Sequence, residues 1–335
     1  MRHNLNTMQL YKFVSYSVNS ECVKGEVLNN RVLFFGLFLL FVILAGIILI
    51  TDSMDEQTNN DLNLKVLNIA LSPTHDPDQL LENSKPLVFY LEKELNAKVN
   101  IIHVTDYSSV VQALGSQHVD VAFMPGLPTV FAIKTADSRP ICIEVQRGKT
   151  NYYSHIYVRK DSGLNTLEDL KGRSIAFTDY VSSSGFLYPL SRFYEEGLID
   201  KGENFDKYFG KVRWLGGYET ALTSMFNGQV DASCGSEHAP LWYLDEEQKK
   251  EIKLLDKSGP LPTHSLVVRN SLGEEIITKI QQVFMGLNNP ENKAILKDLY
   301  HADALEEANV STYDTVYQKA ITTGLFDDVF ATADE

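Results

Sequence analysis

The sequence predicts an α/β fold of two similar lobes, each a mostly parallel sheet flanked by helices. Two runs of alternating strands and helices carry the prediction, one over residues 65–124 and one over 174–235. An internal echo ties them together. Tyr107-SSVVQALGSQH-Val119-Asp120 and Tyr218-ETALTSMFNGQ-Val230-Asp231 align without a gap, each with the Asp thirteen residues after the Tyr. Alternating strands and helices imply parallel pairing, and a parallel sheet places its ligand crevice beyond the carboxyl ends of its strands.

In the first run, Lys65 to Leu71 reads as a strand and Lys85 to Leu95 as a helix with apolar residues at helical spacing. Val99 to Val104 is the second strand, Tyr107 to Leu114 the second helix, and Val119 to Met124 the third strand, ending in a turn over Pro125 to Pro128. Strands over residues 139–147 and 152–159 then lead away, and Leu167 to Gly172 is a short helix with a glycine stop. The second run comprises the strand Ser174 to Thr178, a helix from Gly185 to Glu196, the strand Lys211 to Leu215, a helix from Tyr218 to Phe226 and the strand Val230 to Gly235. Strands near residues 253–255 and 265–269 follow, then helices over 272–287, 290–299 and 312–322. Crossovers near residues 159 and 259 would return the last helices to the first lobe. The expected lobes are therefore residues 66–158 plus 262–335, and residues 159–261.

Ahead of the lobes, Val32 to Ile50 is a run of nineteen residues without a charge. As a helix it would be about 28 Å long, close to the hydrocarbon thickness of a bilayer. Arg2, Lys12, Lys24 and Arg31 precede it, whereas Asp52, Asp55 and Glu56 follow. That asymmetry predicts a cytoplasmic tail over residues 1–31 and everything after residue 50 outside the cell membrane. The run is longer than a signal-peptide core and no A-x-A site follows it, so an uncleaved single-pass anchor is expected. Residues 51–64 are polar and glycine-free, as a spacer would be.

The 335 residues carry a net charge of −14 with no basic stripe, which argues against a nucleic-acid partner. Cys22, Cys142 and Cys234 have neither metal-ligand spacing nor an even-numbered disulfide framework. No nucleotide loop and no nucleophile paired with a base emerges, so an enzyme is not expected.

The most informative stretch is residues 175–189. A buried strand empties into Ser182, Ser183, Ser184 and Gly185 at the start of a helix, and no Lys or Arg lies within the stretch. Free backbone N–H groups, three hydroxyls and the positive end of a helix dipole would meet at one point. Such a site suits a small tetrahedral oxyanion held by neutral donors. The plainer reading makes Ser182 an ordinary N-cap and the other two serines helix-surface residues.

Asp179-YV-Ser182-Ser183-Ser184-Gly185-F-Leu187-Y-Pro189, together with ETALTSMFNGQVDA and the KSGPLP segment, resembles the phosphonate/phosphite/phosphate substrate-binding protein family of ABC importers. The resemblance covers about residues 66–328. It implies a two-lobed type II periplasmic-binding-protein fold that closes on ligand by a hinge, acting as a monomer without a cofactor alongside permease and ATPase subunits. Ser182, Ser183 and Ser184 match the residues that hold the phosphonate oxygens, and Tyr107 matches a first-lobe tyrosine facing the ligand. Elsewhere the chain departs from the pattern. Thr129 stands in a tyrosine's place and Tyr218 in a histidine's. Glu237 lies near one of the acidic positions that grip an ammonium tail, but His264 occupies the other. The resemblance therefore implies a small phosphonate without a cationic tail, phosphite or phosphate. Asp179, Tyr107 and Tyr218 are candidates for accepting a ligand proton or forming an apolar notch. Two alternatives share the fold: a ligand-sensing ectodomain, which so short a tail disfavours, and a binder of another oxyanion such as a sulfonate.

Overall fold

The computed structural model describes residues 64–71, 77–104, 106–200 and 203–326. The tail, the candidate anchor and nearly all of the spacer lie outside the described residues. Among the described residues no helix is long and apolar enough to cross a membrane.

Two sheets organise the chain. The first is built from β1 (Val66–Ala70), β2 (Lys98–Ile102), β3 (Val121–Met124), β4 (Ser138–Val145), β10 (Ser265–Arg269) and β11 (Ala304–Glu307), in the order β11-β4-β10-β3-β1-β2. The second contains β5 (Asn151–Arg159), β6 (Ser174–Phe177), β7 (Lys211–Trp214), β8 (Ala232–Ser236) and β9 (Ile252–Pro262), in the order β7-β6-β8-β5-β9. The sheets are mixed rather than mostly parallel, because the strands that cross between the sheets and return enter antiparallel, and they share a plan. β1 lies between two parallel neighbours, β2 and β3, with antiparallel β10 beyond β3. β6 likewise lies between parallel β7 and β8, with antiparallel β5 beyond β8.

The helices are α1 (Pro77–Leu95), α2 (Tyr107–Gly115), α3 (Gly126–Thr135), α4 (Tyr188–Glu195), α5 (Tyr218–Phe226), α6 (Ala239–Tyr243), α7 (Glu246–Glu251), α8 (Glu274–Met285), α9 (Lys293–Tyr300) and α10 (Asp314–Thr322). Strand alternation divides the core. Val121 and Phe123 of β3 enter one cluster, while Ala122 and Met124 enter another on the opposite face. In β6, Ile175 and Phe177 face the cluster that also holds Ala122 and Met124, and Ala176 faces a third. One apolar cluster thus runs continuously from the first sheet's helices to the second's.

The internal echo has a common structural cause. Asp120 donates its N–H to Asn68 O at 2.8 Å and takes the Asn68 N–H on its carboxylate at 2.7 Å. Asp231 does the same with Ser174, at 3.0 and 2.8 Å. In both lobes the aspartate after the valine clamps the backbone of the strand that lies between two parallel neighbours, at Asn68 within β1 and at Ser174, the first residue of β6. The helices α2 and α5 also enter alike, with N-caps Asp106 (φ −156°, ψ 165°) and Gly217 (φ −157°, ψ 167°).

Several expected boundaries move. Helix α1 begins at Pro77 and runs through Pro86, rather than starting beside it. Residues 125–128, expected as a turn, instead open helix α3 with Pro125 as its N-cap. Strand β5 belongs to the second sheet, so the chain first changes sheets over residues 146–150, not near 159. Strand β9 continues through the KSGPLP segment to Pro262, so the return falls at Thr263 and His264. The two links lie side by side: Thr263 N–H bonds Thr150 O at 3.0 Å, and Glu144 N–H bonds His264 O at 2.9 Å. Cys142 and Cys234 are free, buried, and on different sheets, and burial pushes the Cys142 thiol up to about 12.

Asp120 is also the partner of Arg269, at 2.9 and 2.7 Å, with side-chain exposures of only 5% and 16%. Asp231 has Arg173 no closer than 4.0 Å, and both are more exposed. Breaking a buried pair costs about 3–5 kcal/mol, whereas losing backbone capping bonds costs about 1 kcal/mol. Asp120→Ala is therefore expected to lower the urea unfolding free energy severalfold more than Asp231→Ala.

Candidate functional site

β6 ends at Phe177, and Thr178 to Val181 carry the chain to Ser182, whose extended backbone (φ −76°, ψ 127°) caps a π-helical turn over Ser183–Leu187. That turn runs directly into α4. Ser182 Oγ accepts the Gly185 N–H at 3.0 Å, and Thr178 N–H reaches Gly185 O at 3.3 Å. A Cβ on Gly185 would fall 1.9 Å from Thr178 Oγ1 and 2.8 Å from Ser182 Oγ. Only glycine lets the helix start fold back this closely on the end of its strand.

All three serines are buried. Besides the Ser182 bond, Ser183 Oγ accepts the Leu127 N–H at 2.8 Å from the first turn of α3, a first-sheet element. Ser184 Oγ accepts from the Tyr152 hydroxyl at 3.2 Å and lies 2.7 Å from the Tyr218 hydroxyl. Ser154 Oγ fixes Ser184 O at 2.7 Å. A hydroxyl oxygen that already accepts from a fixed N–H keeps its own proton to donate. Ser182 and Ser183 therefore offer donors, beside the opening amides of a helix that have no intrahelical acceptor. Gly126 admits this meeting of the lobes; a Cβ there would come within 3.6 Å of Ser183 Oγ and 3.2 Å of Pro262.

Tyr107 and Tyr218 are the first residues of α2 and α5. Burial raises the Tyr152 phenol well above its ordinary value, and the nearby Tyr218 and Tyr107 hydroxyls add to this, with the Ser184 bond opposing. Burial also raises Tyr218, against hydrogen bonds to Ser184, Ser182 and Tyr152. These phenols stay neutral donors at any ordinary pH. Asp179 is part-buried; desolvation raises its pKa, the Val181 N–H at 2.9 Å lowers it, and Asp106 raises it again.

The structure thus brings together Ser182, Ser183, Ser184, Tyr107 and Tyr218. It does not deliver Thr129, Glu237 or His264 as free ligand groups. Thr129 is fully buried, and its hydroxyl donates to Pro125 O at 2.9 Å, one helical turn back, because residues 125–128 begin a helix. Glu237 Oε1 accepts the Tyr153 N–H at 3.0 Å, which ties it to the β5 backbone. His264 Nδ1 lies 3.3 Å from the fully buried Glu144, at the link between sheets. Sequence reasoning missed Tyr152, Ser154 and the Leu127 amide. The Tyr-x-Ser spacing of the first two was a usable signal, since alternate strand residues share a face.

Two outcomes follow from this geometry. Gly185→Ala should abolish ligand binding in a titration while leaving much of the fold, because the added carbon overlaps Thr178 and displaces the serine turn. Asp179→Asn keeps the bond to Val181 but removes a charge that burial penalises. A carboxyl with a raised folded pKa costs stability above that pKa, and protonation relieves the cost as pH falls through it. Thermal unfolding should therefore show Asp179→Asn more stable than the parent at pH 7, with the gain vanishing toward acid.

Residues 69–313 match the family described as "ABC transporter, phosphonate, periplasmic substrate-binding protein". The phosphonates-binding periplasmic protein of Escherichia coli is 30% identical over 243 residues, 70% of this chain and 70% of that relative. The phosphate-import protein PhnD of Mycolicibacterium smegmatis is 28% identical over 228 residues, 66% and 71% of the two chains. The structure of PhnD1 from Prochlorococcus marinus in complex with methylphosphonate superposes with a TM-score of 0.63 at 21% identity, covering 76% of this chain and 97% of that one. Together with the two-sheet architecture, these matches make the chain a member of the family of phosphonate periplasmic substrate-binding proteins of ABC transporters.

Proposed function

We propose that the cleft between the two sheets captures a small phosphorus oxyanion (a phosphonate, phosphite or phosphate) and delivers it to an ABC permease. The carrying observation is the arrangement of the serines. Ser182 and Ser183 each accept from a protein N–H and so face a ligand as donors, while Ser184 is held by Tyr152 and Tyr218. A hydrogen bond to a charged group contributes about 1.5–3 kcal/mol. Several such bonds, with the helix-start amides, hold an anion firmly while leaving it exchangeable, as a carrier requires.

Among the described residues the three serine hydroxyls are met by backbone amides and tyrosine hydroxyls, not by a Lys or Arg. Neutral donors recognise shape and charge distribution rather than total charge. A ligand that keeps a proton needs an acceptor, and Asp179 is the carboxylate nearest the turn in sequence. On this reading Thr129, Glu237 and His264 shape the walls through backbone and hinge contacts, and no catalytic step is assigned to the cleft. Residues 32–50 would hold the lobes at the outer face of the cell membrane, through a single-pass anchor.

The test is calorimetric titration of the full chain in detergent with methylphosphonate, phosphite, phosphate, 2-aminoethylphosphonate and sulfate. Saturable binding of a phosphorus oxyanion is expected, weakened about 10- to 100-fold by Ser184→Ala. Binding of sulfate alone would move the reading to another oxyanion. No heat with any of them, on folded and ligand-free protein, would sink it.

A further inference from the structure

The helix that carries the serines is gripped at both ends by elements of the first sheet's side. At its start, the Leu127 amide of α3 meets Ser183. Along α4 and out to its far end, Lys319 of α10 stands 5.1 Å above the Tyr188 ring and donates to Ser191 Oγ at 3.0 Å and to Glu195. Tyr188, Ser191 and Glu195 are spaced i, i+3, i+7 and so share one face of α4. Lys319 engages all three, and it is only 17% exposed.

Helix α10 is fixed on the α3 side. Val316 lies against Gly126, 3.3 Å from where a Cβ would stand, and Lys134 of α3 sits 4.1 Å over the Tyr317 ring. On the α4 side, Glu195 is steadied by Arg192 at 3.1 Å, and Arg192 in turn holds Asp256 of β9 at 2.9 Å. The lysine therefore bridges two well-anchored bodies. Ser184 and Glu195 are eleven residues apart, about 16 Å along the axis.

We propose that Lys319 is a positioning residue for the oxyanion site. Leu127 fixes where the helix start sits against the first lobe, and Lys319 fixes the helix tilt, so that the Ser182 and Ser183 donors are aligned only when both grips are made. Part of the free energy of lobe closure then comes from Lys319 rather than from the ligand. Affinity falls when the binding-competent fraction falls, by the same factor. The inference rests on the reading of the serine turn as the anion site.

The experiment combines affinity with lobe separation in the full chain. Methylphosphonate is titrated into the parent, Lys319→Met and Lys319→Arg. In parallel, spin labels at Lys93→Cys and Lys250→Cys, in a Cys22→Ser background, report the distance between the lobes without ligand. Lys319→Met is expected to weaken binding about tenfold and to lengthen or broaden the unliganded distance, while Lys319→Arg stays within about threefold of the parent. Parental affinity in folded Lys319→Met would overturn the inference. So would a weakened affinity with an unchanged distance distribution, since that marks a merely structural effect. If Lys319→Met does not fold, Glu195→Gln, at the more exposed end of the pair, carries the same expectations. If the parent binds no phosphorus oxyanion, the functional reading fails, but the distances still decide the role of Lys319.

Discussion

The closest approach in the serine turn, Gly185 against Thr178, governs everything built on it. With a glycine there, the backbone can reverse from the end of β6 into a helix within a few residues, and Ser182 can cap the Gly185 amide. A larger residue would push the turn away, and the hydroxyls would lose the partners that make them donors. The wide π-helical turn is part of the same arrangement, because it places Ser183 and Ser184 at the meeting point of the sheets before regular α4 begins. The serine turn is thus a property of backbone packing first and of serine chemistry second.

Around that turn the molecule repeats one design twice. Each lobe has a strand between two parallel neighbours that is clamped by an aspartate, Asp120 on Asn68 and Asp231 on Ser174, and each has a helix whose first residue is a tyrosine. The copies have diverged where exposure differs. Asp120 acquired a buried arginine partner, and Asp231 a serine hydroxyl at 2.6 Å. Asp106 bonds Ser109 at the start of α2, whereas Gly217 offers no side chain at the start of α5.

Much of this was legible in the residues. The alternation of strands and helices, the gapless echo and the serine helix start are local patterns, and local patterns survive into structure when tertiary contacts agree with them. What was hidden depended on partners distant in sequence. Pro86 looks like a helix start, yet α1 runs through it because Leu80 before it and Leu87 and Leu91 after it pack into the same core cluster. Pro125-Gly-Leu-Pro128 has the composition of a turn, but its amides are needed by Ser183, fifty-six residues away, and the segment becomes a helix start. Thr129 lost its expected role for the same reason. Strand β5 could not be assigned to a sheet from its own residues, since its neighbours β8 and β9 lie far downstream. His264 and Glu237 were read by position alone, and each proved to be held by a contact no spacing reveals.

The two links between the sheets have a mechanical consequence. Thr263 bonds Thr150 O through its N–H, and its hydroxyl donates to Glu144 O, so the outgoing and returning chains are stitched into one narrow ribbon. A two-stranded ribbon bends readily out of its own plane but resists sliding of one strand past the other. Such a ribbon favours a swing of the lobes about one line. That line runs close to the serine turn, because Pro262, at the end of the returning strand, and Ser183 both crowd Gly126. On the proposed reading, a solute therefore enters from the side away from the hinge.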